Sequence, residues 1–256
     1  MKLLLDLGNT RLKAALGDDA GGLRMLGQAA HREQGAGKAL EAVLDELAGE
    51  TVDSAWCANV AGDAAGRELA AAVRLHAGVP TRFVRAVPEA CGVRCAYPEP
   101  AHLGADRWAA LLGARALSGA ACLVADAGSA LTLDAMAAGG RHLGGWILPG
   151  HAMMLEALAG RTGDLGRLRA ASAADPEGGF PVDSGPAMEA GARLAALGAV
   201  RAAREQLRAH AGGPARLLVT GGDADFLLAR FADAEHAPAL VLRGLARLAA
   251  AGGCAT

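Results

Sequence analysis

The sequence predicts an α/β protein made of two similar halves, and three observations lead to this prediction. Short apolar runs alternate along the chain with longer segments of helical spacing. An apolar run that ends in aspartate, followed by any residue, glycine and a small polar residue, occurs twice, in residues 3–10 and 122–129. Asp6 and Asp126 of these segments are separated by close to half of the 256 residues, as expected of a duplicated domain. We therefore expect two domains, at residues 1–118 and 119–256.

The first half begins with a predicted β-hairpin. Residues 3–7 and 11–16 are apolar enough for two strands, and the Gly8-Asn9-Thr10 turn connects them. A hairpin distinguishes this loop from a P-loop, which leads from a strand into a helix. Spacing and turn residues then predict helices at 39–47 and 66–76, strands at 52–60 and 81–84, a loop at 86–102, and a helix at 105–118.

The second half is predicted to open like the first, with two strands around a tight turn. In chain order its predicted elements are a strand at 122–125, a turn at 126–130, a strand at 131–135, a strand and turn at 144–150, helices at 151–160 and 186–211, a strand at 217–220 and a helix at 241–251. His151 is expected to begin the first of these helices. Gly221-Gly222-Asp223 is expected to form the turn after the strand at 217–220.

Each aspartate-x-glycine segment is expected to deliver a carboxylate from a buried strand to a tight turn. Glycine lets backbone amides approach a ligand, and the aspartate can hold a cation beside them. Two such loops that face each other across a cleft would suit the phosphates of a nucleotide and their metal ion. Phosphoryl transfer is therefore the leading hypothesis.

Charge and hydropathy argue against several other classes of function. The net charge is -2 and positive residues are scattered among acidic ones, so we expect no binding to nucleic acid or to anionic membranes. The N-terminus loses its apolar character too early for a signal peptide, and no run of about 18 apolar residues occurs, which favours a soluble cytoplasmic protein. The five cysteines are an odd, dispersed set, which argues against a disulfide framework.

Five motifs occur in an order that resembles one family, the type III pantothenate kinases, which also include proteins described as Bvg accessory factor. The motifs are Asp6-Leu7-Gly8-Asn9-Thr10, Gly104-Ala105-Asp106-Arg107, Asp126-Ala127-Gly128-Ser129-Ala130, Gly144-Gly145-Trp146-Ile147-Leu148-Pro149-Gly150 and Thr220-Gly221-Gly222. Aspartate-x-glycine turns are common one at a time, but five motifs in order over the whole chain are specific.

The resemblance implies a fold and an activity. The fold would be α/β, with two ribonuclease-H-like domains of the acetate and sugar kinase/Hsp70/actin superfamily and an interdomain cleft. The activity would be ATP-dependent phosphorylation of pantothenate to 4'-phosphopantothenate, the first step of coenzyme A biosynthesis. The family also implies Mg²⁺ with ATP, a monovalent cation (K⁺ or NH₄⁺) and a homodimer. A kinase for another small alcohol and a non-catalytic nucleotide-binding accessory or regulatory protein are the alternatives.

The first loop is implied to bind the phosphates of ATP. The residues that match the family here are Asp6, Gly8, Asn9, Thr10 and Lys13, with Asp6 near the Mg²⁺ ion, possibly through water. Mg²⁺ prefers a carboxylate together with waters and phosphate oxygens, and Lys13 could neutralise developing charge. From the residues alone, Asp6 could instead be a turn residue of its own hairpin, and Lys13 could point into water.

Gly104-Ala105-Asp106-Arg107 matches the substrate-binding and catalytic motif of the family, in which the aspartate is the general base. A carboxylate at Asp106 can orient a hydroxyl and accept its proton as the phosphoryl group transfers. Arg107 could hold the pantothenate carboxylate or a phosphate. Without the resemblance, the residues favour the alternative that Asp106 is an aspartate of a first helical turn with no catalytic role, with Arg107 as its salt-bridge neighbour.

The second half supplies three further positions by resemblance. Asp126 matches an aspartate associated with a monovalent cation, and Ser129 occupies the place of an ATP-contacting threonine, whose hydroxyl it keeps. Gly221 and Gly222 match the superfamily's adenosine loop, where absent side chains let the nucleoside approach the backbone. An ordinary strand-to-helix turn is the alternative for this glycine pair.

Tyr97 and Ser184 are the remaining substrate-binding candidates. Tyr97 is the only tyrosine and matches one that contacts pantothenate in the family; otherwise it would be a half-buried loop anchor. Ser184 aligns with a threonine that meets the substrate, although the usual Asn-Thr pair is here Asp183-Ser184. Ser184 could equally be the N-cap of the helix that Pro186 enters.

Overall fold

The computed structural model describes residues 1–19, 21–44, 50–161 and 178–252. In chain order its strands and helices are β1 (Lys2–Leu7), β2 (Arg11–Gly17), β3 (Leu23–Ala30), α1 (Ala36–Leu44), β4 (Ser54–Asn59), α2 (Asp63–Ala77), β5 (Thr81–Phe83), β6 (Glu89–Ala90), β7 (Val93–Arg94), α3 (Ala105–Leu117), β8 (Cys122–Ala127), β9 (Ala130–Met136), β10 (His142–Pro149), α4 (His151–Arg161), α5 (Ser184–Ala211), β11 (Arg216–Thr220), α6 (Ala224–Leu228), β12 (Ala234–His236) and α7 (Leu240–Ala250).

The chain forms two compact units. The first comprises the described parts of Met1–Ala120, Ala138–Gly144 and Ala239–Thr256, and the second those of Ala121–Ala137 and Gly145–Pro238. The domain boundary between residues 118 and 119 stays a prediction. In the structure, α7 and the short segment Ala138–Gly144 pack within the first unit, although both follow residue 118 in the chain.

A five-stranded sheet in the order β3-β2-β1-β4-β5 forms the centre of the first unit. β1 pairs antiparallel with β2, and β2 with β3, whereas β4 and β5 continue the sheet in parallel. β1 and β4 are apolar on both faces, as expected of central strands with helices on either side. Leu3, Leu5 and Cys57 are fully buried, and α1 and α2 contribute Leu40 and Leu69 to the same core.

The second unit repeats this strand order. Its sheet runs β10-β9-β8-β11-β12, so that a hairpin again precedes two parallel strands. Leu123, Val124 and Ala125 of β8 occupy the place that Leu3, Leu4 and Leu5 hold in β1, and all six are buried. The recurrence of one sheet topology in both halves confirms the predicted α/β class and explains why the two aspartate-x-glycine segments look alike.

Most predicted elements are confirmed, with bounds that differ by a few residues. The turn predicted at 126–130 is shorter than expected, because β8 extends to Ala127 and β9 begins at Ala130. The predicted loop at 86–102 contains the small β6–β7 hairpin and a 3₁₀ turn at Pro100–His102. The end of the helix predicted at 39–47 lies outside the described residues. Besides the β6–β7 hairpin, three elements were not predicted from the sequence: β3, α6 and β12.

The last helix packs against α3 through glycine. A Cβ atom on Gly244 of α7 would lie 1.8 Å from the Ala109 carbonyl oxygen, and one on Gly113 of α3 would lie 2.2 Å from that of Leu240. Two helix backbones can come this close only where side chains are absent. Because α3 starts at the Gly104-Ala105-Asp106-Arg107 motif, α7 supports the helix that carries the candidate general base. No helix in the described part of the chain is long and apolar enough to cross a membrane.

Candidate active site

The first aspartate-x-glycine loop closes the β1–β2 hairpin. Asp6 lies opposite Lys13 in the ladder and is only 7% exposed. Residues paired across a hairpin project to the same face, and Lys13 Nζ lies 3.7 Å from Asp6 Oδ2. The Gly8 amide donates to the Arg11 carbonyl over 3.1 Å, which closes the turn. Lys13 therefore lies beside the carboxylate instead of pointing into open water.

Cys57 lies in β4 next to this loop, and the charge of Asp6 affects the pKa of its thiol. The thiol is fully buried, and β4 pairs Cys57 with Leu5 of β1. Burial, and after it the negative charge of Asp6, raises the pKa of the Cys57 thiol far above its ordinary value. Cys57 thus stays protonated at neutral pH and is unsuited to act as a nucleophile or a metal ligand.

The second aspartate-x-glycine loop has the same construction. Asp126 is half-buried near the end of β8 and pairs with Thr132 of β9, as Asp6 pairs with Lys13. The Gly128 amide donates to the Ala130 carbonyl over 3.0 Å, and Ser129 is exposed at the tip of the turn. The hydroxyl at position 129 can therefore reach a ligand from the surface of the second unit.

Gly221 brings the β11 turn against this second loop. Its φ angle is +100°, and a Cβ atom there would lie 2.2 Å from the Ala127 carbonyl oxygen and 2.6 Å from Asp126 Oδ1. The Asp223 amide donates to the same carbonyl over 2.9 Å. Both the positive φ angle and the lack of space for a Cβ atom therefore require glycine at position 221. Gly222, in contrast, is exposed, and a Cβ atom there would meet nothing within 4 Å.

Asp106 is held at the first turn of α3. The backbone amide of Arg107 donates to Asp106 Oδ1 over 2.7 Å. The carboxylate lies back over Gly104, where a Cβ atom would approach Oδ1 to 2.8 Å. Gly104 therefore leaves room for this orientation, and Ala105 separates the two as the first residue of the helix. The side chain is half-buried, so one carboxylate can be fixed by the backbone and still meet a ligand.

Arg107 is a buried cation beside Tyr97. Its side chain is 6% exposed, and Nη1 donates to the Tyr97 hydroxyl over 3.2 Å. The Tyr97 ring stacks on buried His142, with centroids 6.0 Å apart and planes inclined by 11°. His142 Nδ1 in turn accepts from the Ala96 amide at 3.4 Å. This row of contacts fixes the loop before α3 and holds a phenol and a guanidinium next to each other.

Ser184 does not cap α5. Asp183 is the N-cap residue, and its Oδ1 accepts from the Gly185 amide over 3.1 Å. The N-cap interpretation of Ser184 is therefore wrong, because the aspartate one residue earlier satisfies that amide. Ser184 is the first residue of the helix and is exposed.

A second polar cluster surrounds buried Glu189 in α5. His151, which begins α4 as predicted, places Nε2 2.9 Å from Glu189 Oε1, and Arg193 Nε donates to the same oxygen over 2.7 Å. The guanidinium of Arg193 also lies 5.0 Å from the centroid of the Phe226 ring. These contacts tie α4, α5 and α6 together beside the second loop.

The contacts above bring the predicted site residues together in three groups. They are Asp6, Gly8, Asn9, Thr10 and Lys13 in the β1–β2 hairpin; Tyr97, Gly104, Ala105, Asp106 and Arg107 at the start of α3; and Asp126, Ser129, Gly221 and Gly222 at the β8 and β11 turns. None of these contacts connects Ser184 to any of the three groups of residues. Each group combines backbone amides at a turn with one carboxylate, as recognition of anions and their counter-ions requires.

Comparison with known proteins identifies the family. A model of the family described as Type III pantothenate kinase matches residues 2–206. The chain belongs to this family. A type III pantothenate kinase of Burkholderia thailandensis is 36% identical over 96% of this chain and 97% of its own length. That of Aromatoleum aromaticum is 40% identical over 97% of this chain and 98% of its own. The resemblance drawn from the five motifs is confirmed, and the chain is an enzyme of the kinase class.

Solved structures agree with this pantothenate kinase assignment at the level of the fold. A Campylobacter jejuni protein described as a Baf family transcriptional activator has a TM-score of 0.61 at 22% identity, with 98% of both chains covered. A Sinorhizobium meliloti protein described as a 2-dehydro-3-deoxygalactonokinase has a TM-score of 0.56 at 16% identity, again with 98% of both covered. The predicted α/β fold is confirmed, and at these identities the likeness concerns the fold alone.

Three buried polar residues near the candidate site of this pantothenate kinase were not assigned from the sequence. They are His31, His142 and Glu189. His31 follows a strand that was not predicted, and its contact with Gly8 spans 23 positions of the chain. His142 meets the Ala96 amide across 46 positions, and Glu189 meets His151 across 38, so these contacts depend on the fold. Only the contact of Glu189 with Arg193, four residues later in α5, is local.

Proposed function

We propose that this type III pantothenate kinase transfers the γ-phosphoryl group of ATP to the primary alcohol of pantothenate. The products are ADP and 4'-phosphopantothenate, and the reaction is the first step of coenzyme A biosynthesis. The observation that carries the proposal is the family match over residues 2–206, together with full-length relatives at 36–40% identity. Because the reaction consumes ATP and feeds coenzyme A synthesis, the proposal includes a cytoplasmic location. No observation favours a kinase for another alcohol or a non-catalytic accessory protein.

Asp106 is the catalytic residue in this proposal. As the substrate oxygen attacks the γ-phosphorus, its proton passes to the Asp106 carboxylate, and the bond from phosphorus to the β,γ-bridging oxygen breaks. The Arg107 amide donates to Oδ1 over 2.7 Å, which orients the carboxylate at the start of α3. Gly104 supports this assignment, because a side chain there would push the carboxylate away.

Arg107 and Tyr97 are proposed to bind pantothenate together with Gly104 and Ala105. Pantothenate carries a carboxylate, and a guanidinium is the side chain best suited to a planar anion. The Tyr97 hydroxyl accepts from the Arg107 guanidinium over 3.2 Å, so the two side chains are held next to each other at the start of α3. This pair would offer a phenol and a guanidinium to the carboxylate and the hydroxyl groups of the substrate.

The hairpin loops are proposed to bind the nucleotide. In the first, Gly8, Asn9, Thr10 and Lys13 would contact the phosphates, with the Lys13 ammonium group balancing their charge. In the second, Ser129 would donate its hydroxyl to ATP. Gly221 and Gly222 would let the adenosine approach the backbone, which fits the open space around Gly222. Ser184 is the remaining proposed contact, on the pantothenate side.

Asp6 and Asp126 fit the cations that the reaction requires. Within the described residues, no group of three His, Cys, Asp or Glu side chains could hold a metal ion without other ligands. A single buried carboxylate such as Asp6 suits Mg²⁺, which takes its other ligands from water and phosphate oxygens. Asp126 would contribute to a site for K⁺ or NH₄⁺ with oxygens of the neighbouring turns, of which the Ala127 carbonyl is one. The ions neutralise phosphate charge when bound.

The function is tested by following ADP release from ATP and Mg²⁺ with pantothenate, glucose or glycerol as acceptor. Each reaction is run in potassium, ammonium and sodium salts. We expect turnover only with pantothenate, and only with potassium or ammonium. Turnover with glucose or glycerol instead would indicate a kinase for another alcohol. ATP binding without turnover on any acceptor would support an accessory role and contradict the proposal.

A homodimer is proposed to form along β10. This strand is at the edge of its sheet and exposes Trp146 and Ile147, the latter to 64%. Exposed apolar residues on an edge strand favour pairing with another chain.

We expect light scattering to give about twice the 25.6 kDa chain mass for the unmodified protein, and the mass of a single chain for Ile147→Lys. Leu75→Lys is the matched control, because Leu75 is 77% exposed on α2 and should leave the dimer intact. A dimer that survives Ile147→Lys would contradict this interface.

A further inference from the structure

His31 is a buried histidine that contacts the first hairpin loop. It directly follows β3, is 7% exposed, and its Nε2 lies 2.7 Å from the Gly8 carbonyl oxygen. A carbonyl oxygen can only accept, so Nε2 must carry the hydrogen and donate. None of the roles proposed above for catalysis, nucleotide or pantothenate uses this side chain.

The backbone of His31 is anchored on both sides of that contact. Its amide donates to the Thr10 carbonyl over 3.2 Å, and its own carbonyl accepts from the Gly35 amide at 2.8 Å. Gly35 also accepts from the Ala39 amide at 3.2 Å, which links the segment to α1. The backbone that carries the imidazole is therefore fixed. His31 holds the loop through two hydrogen bonds, one to the Gly8 carbonyl and one to the Thr10 carbonyl.

The bond to Gly8 sets the direction of the next amide. The described residues contain no cis peptide bond, and in a planar trans peptide the C=O and N–H groups point in opposite directions. Because the Gly8 carbonyl points at buried His31, the Asn9 N–H points away from it, on the exposed side of the turn. Glycine at position 8 restricts the adjoining peptide little, so a hydrogen bond is needed to select one orientation.

We propose that His31 is a positioning residue for phosphate binding. Its Nε2–H donor holds the Gly8–Asn9 peptide so that the Asn9 amide is presented to a phosphate oxygen of ATP. The inference rests on the proposed function of this loop. A preorganised amide loses little freedom when the anion binds, whereas an unfixed peptide must be ordered at that moment.

The test compares three variants with the unmodified protein. His31→Phe keeps a ring but removes the hydrogen-bond donor. His31→Gln restores a donor, because its amide nitrogen is as many bonds from Cβ as the imidazole Nε2. His76→Phe is the matched control, since His76 is an exposed histidine on α2 of the same unit. KM for ATP, KM for pantothenate and kcat are measured, together with the Kd of ATP and of adenosine by calorimetry.

We expect His31→Phe to raise both KM and Kd for ATP about tenfold, with KM for pantothenate and Kd for adenosine changed less than about twofold. His31→Gln should lie within about threefold of the unmodified protein, and His76→Phe should match it. An unchanged Kd for ATP in His31→Phe would overturn the proposal, as would equal weakening of ATP, adenosine and pantothenate, which indicates general loosening.

Two further outcomes separate this inference from the proposed function. If the unmodified protein binds ATP but does not phosphorylate pantothenate, the function fails while the Kd comparison still decides the role of His31. If His31→Phe does not fold, His31→Asn replaces it, because its amide is one bond too short to reach Gly8. Equal ATP affinities of the Asn and Gln variants would then overturn the proposal.

Discussion

Replacing Asp106 by asparagine is expected to lower kcat at least about a hundredfold. The amide has nearly the same shape and can still accept the 2.7 Å hydrogen bond from the Arg107 amide. It cannot accept the proton of the substrate hydroxyl, so only the proton transfer should be lost. Steady-state ADP release with saturating ATP and pantothenate measures the effect, and KM for ATP should change little because Asp106 is assigned to the acceptor.

Asp63→Asn is a matched control for this variant. Asp63 is also an aspartate in a first helical turn that follows a glycine, but it is exposed on α2. Both substitutions remove an interaction with the helix N-terminus, which contributes about 0.3–1 kcal/mol to stability. Only the substitution at position 106 should affect turnover. Thermal unfolding separates a loss of stability from a loss of chemistry.

A small effect of Asp106→Asn would identify the residue as a helix-terminal aspartate without a catalytic role. That outcome would contradict the general-base assignment while leaving the family membership intact. The assignment would also fail if both asparagine variants lost activity in proportion to their stability. A large loss confined to Asp106→Asn is the only result that agrees with the proton-transfer role.

The parts of the fold that the sequence predicted well are those whose burial follows a simple rule. β1 and β8 are buried on both faces and therefore appear as continuous apolar runs before an aspartate. β3 has only Leu26 buried, so no apolar alternation indicated it. α6 has five residues and β12 three, which is too short for a periodic signal.

Candidate site residues could be predicted where the chain places them next to one another. Gly104, Asp106 and Arg107 act through contacts over one to three positions, and the motif contains them all. His31 meets Gly8 through a strand that the sequence did not predict. Gly221 was suggested by its place after a strand, but its need for glycine comes from Ala127, nearly a hundred positions earlier. Long-range contacts of this kind require the fold.

The position of α7 shows the same limit. Its helical spacing predicts one buried face, and Leu242, Leu245 and Leu248 are buried as expected. Periodicity does not specify the partner of that face, and chain order suggested the second half. The structure instead places α7 against α3, β1 and β4 of the first unit. The glycines that permit this contact, Gly113 and Gly244, cannot be told from other glycines in a chain that has 36 of them.

Gly244→Ala is therefore expected to destabilise the protein, although alanine is the better helix former. Intrinsic propensity alone would favour alanine over glycine by about 1 kcal/mol. The added methyl group would lie 1.8 Å from the Ala109 carbonyl oxygen and 2.6 Å from its carbon, and backbone atoms cannot turn aside as a side chain can. The two helices must move apart, at a cost of about 2 kcal/mol or more. Thermal unfolding should show Tm lowered by about 5 °C or more.

Gly198→Ala is the control with the opposite expected sign. Gly198 lies within α5, and a Cβ atom there would meet nothing within 4 Å, so only the helix propensity changes. Its Tm should stay the same or rise by about 1–3 °C. If Gly244→Ala also raised Tm, the separation of α3 and α7 would not depend on absent side chains. The expected result is that Gly244→Ala lowers both Tm and kcat, whereas Gly198→Ala lowers neither. That result would show that α7 sets the position of α3, and with it the position of Asp106.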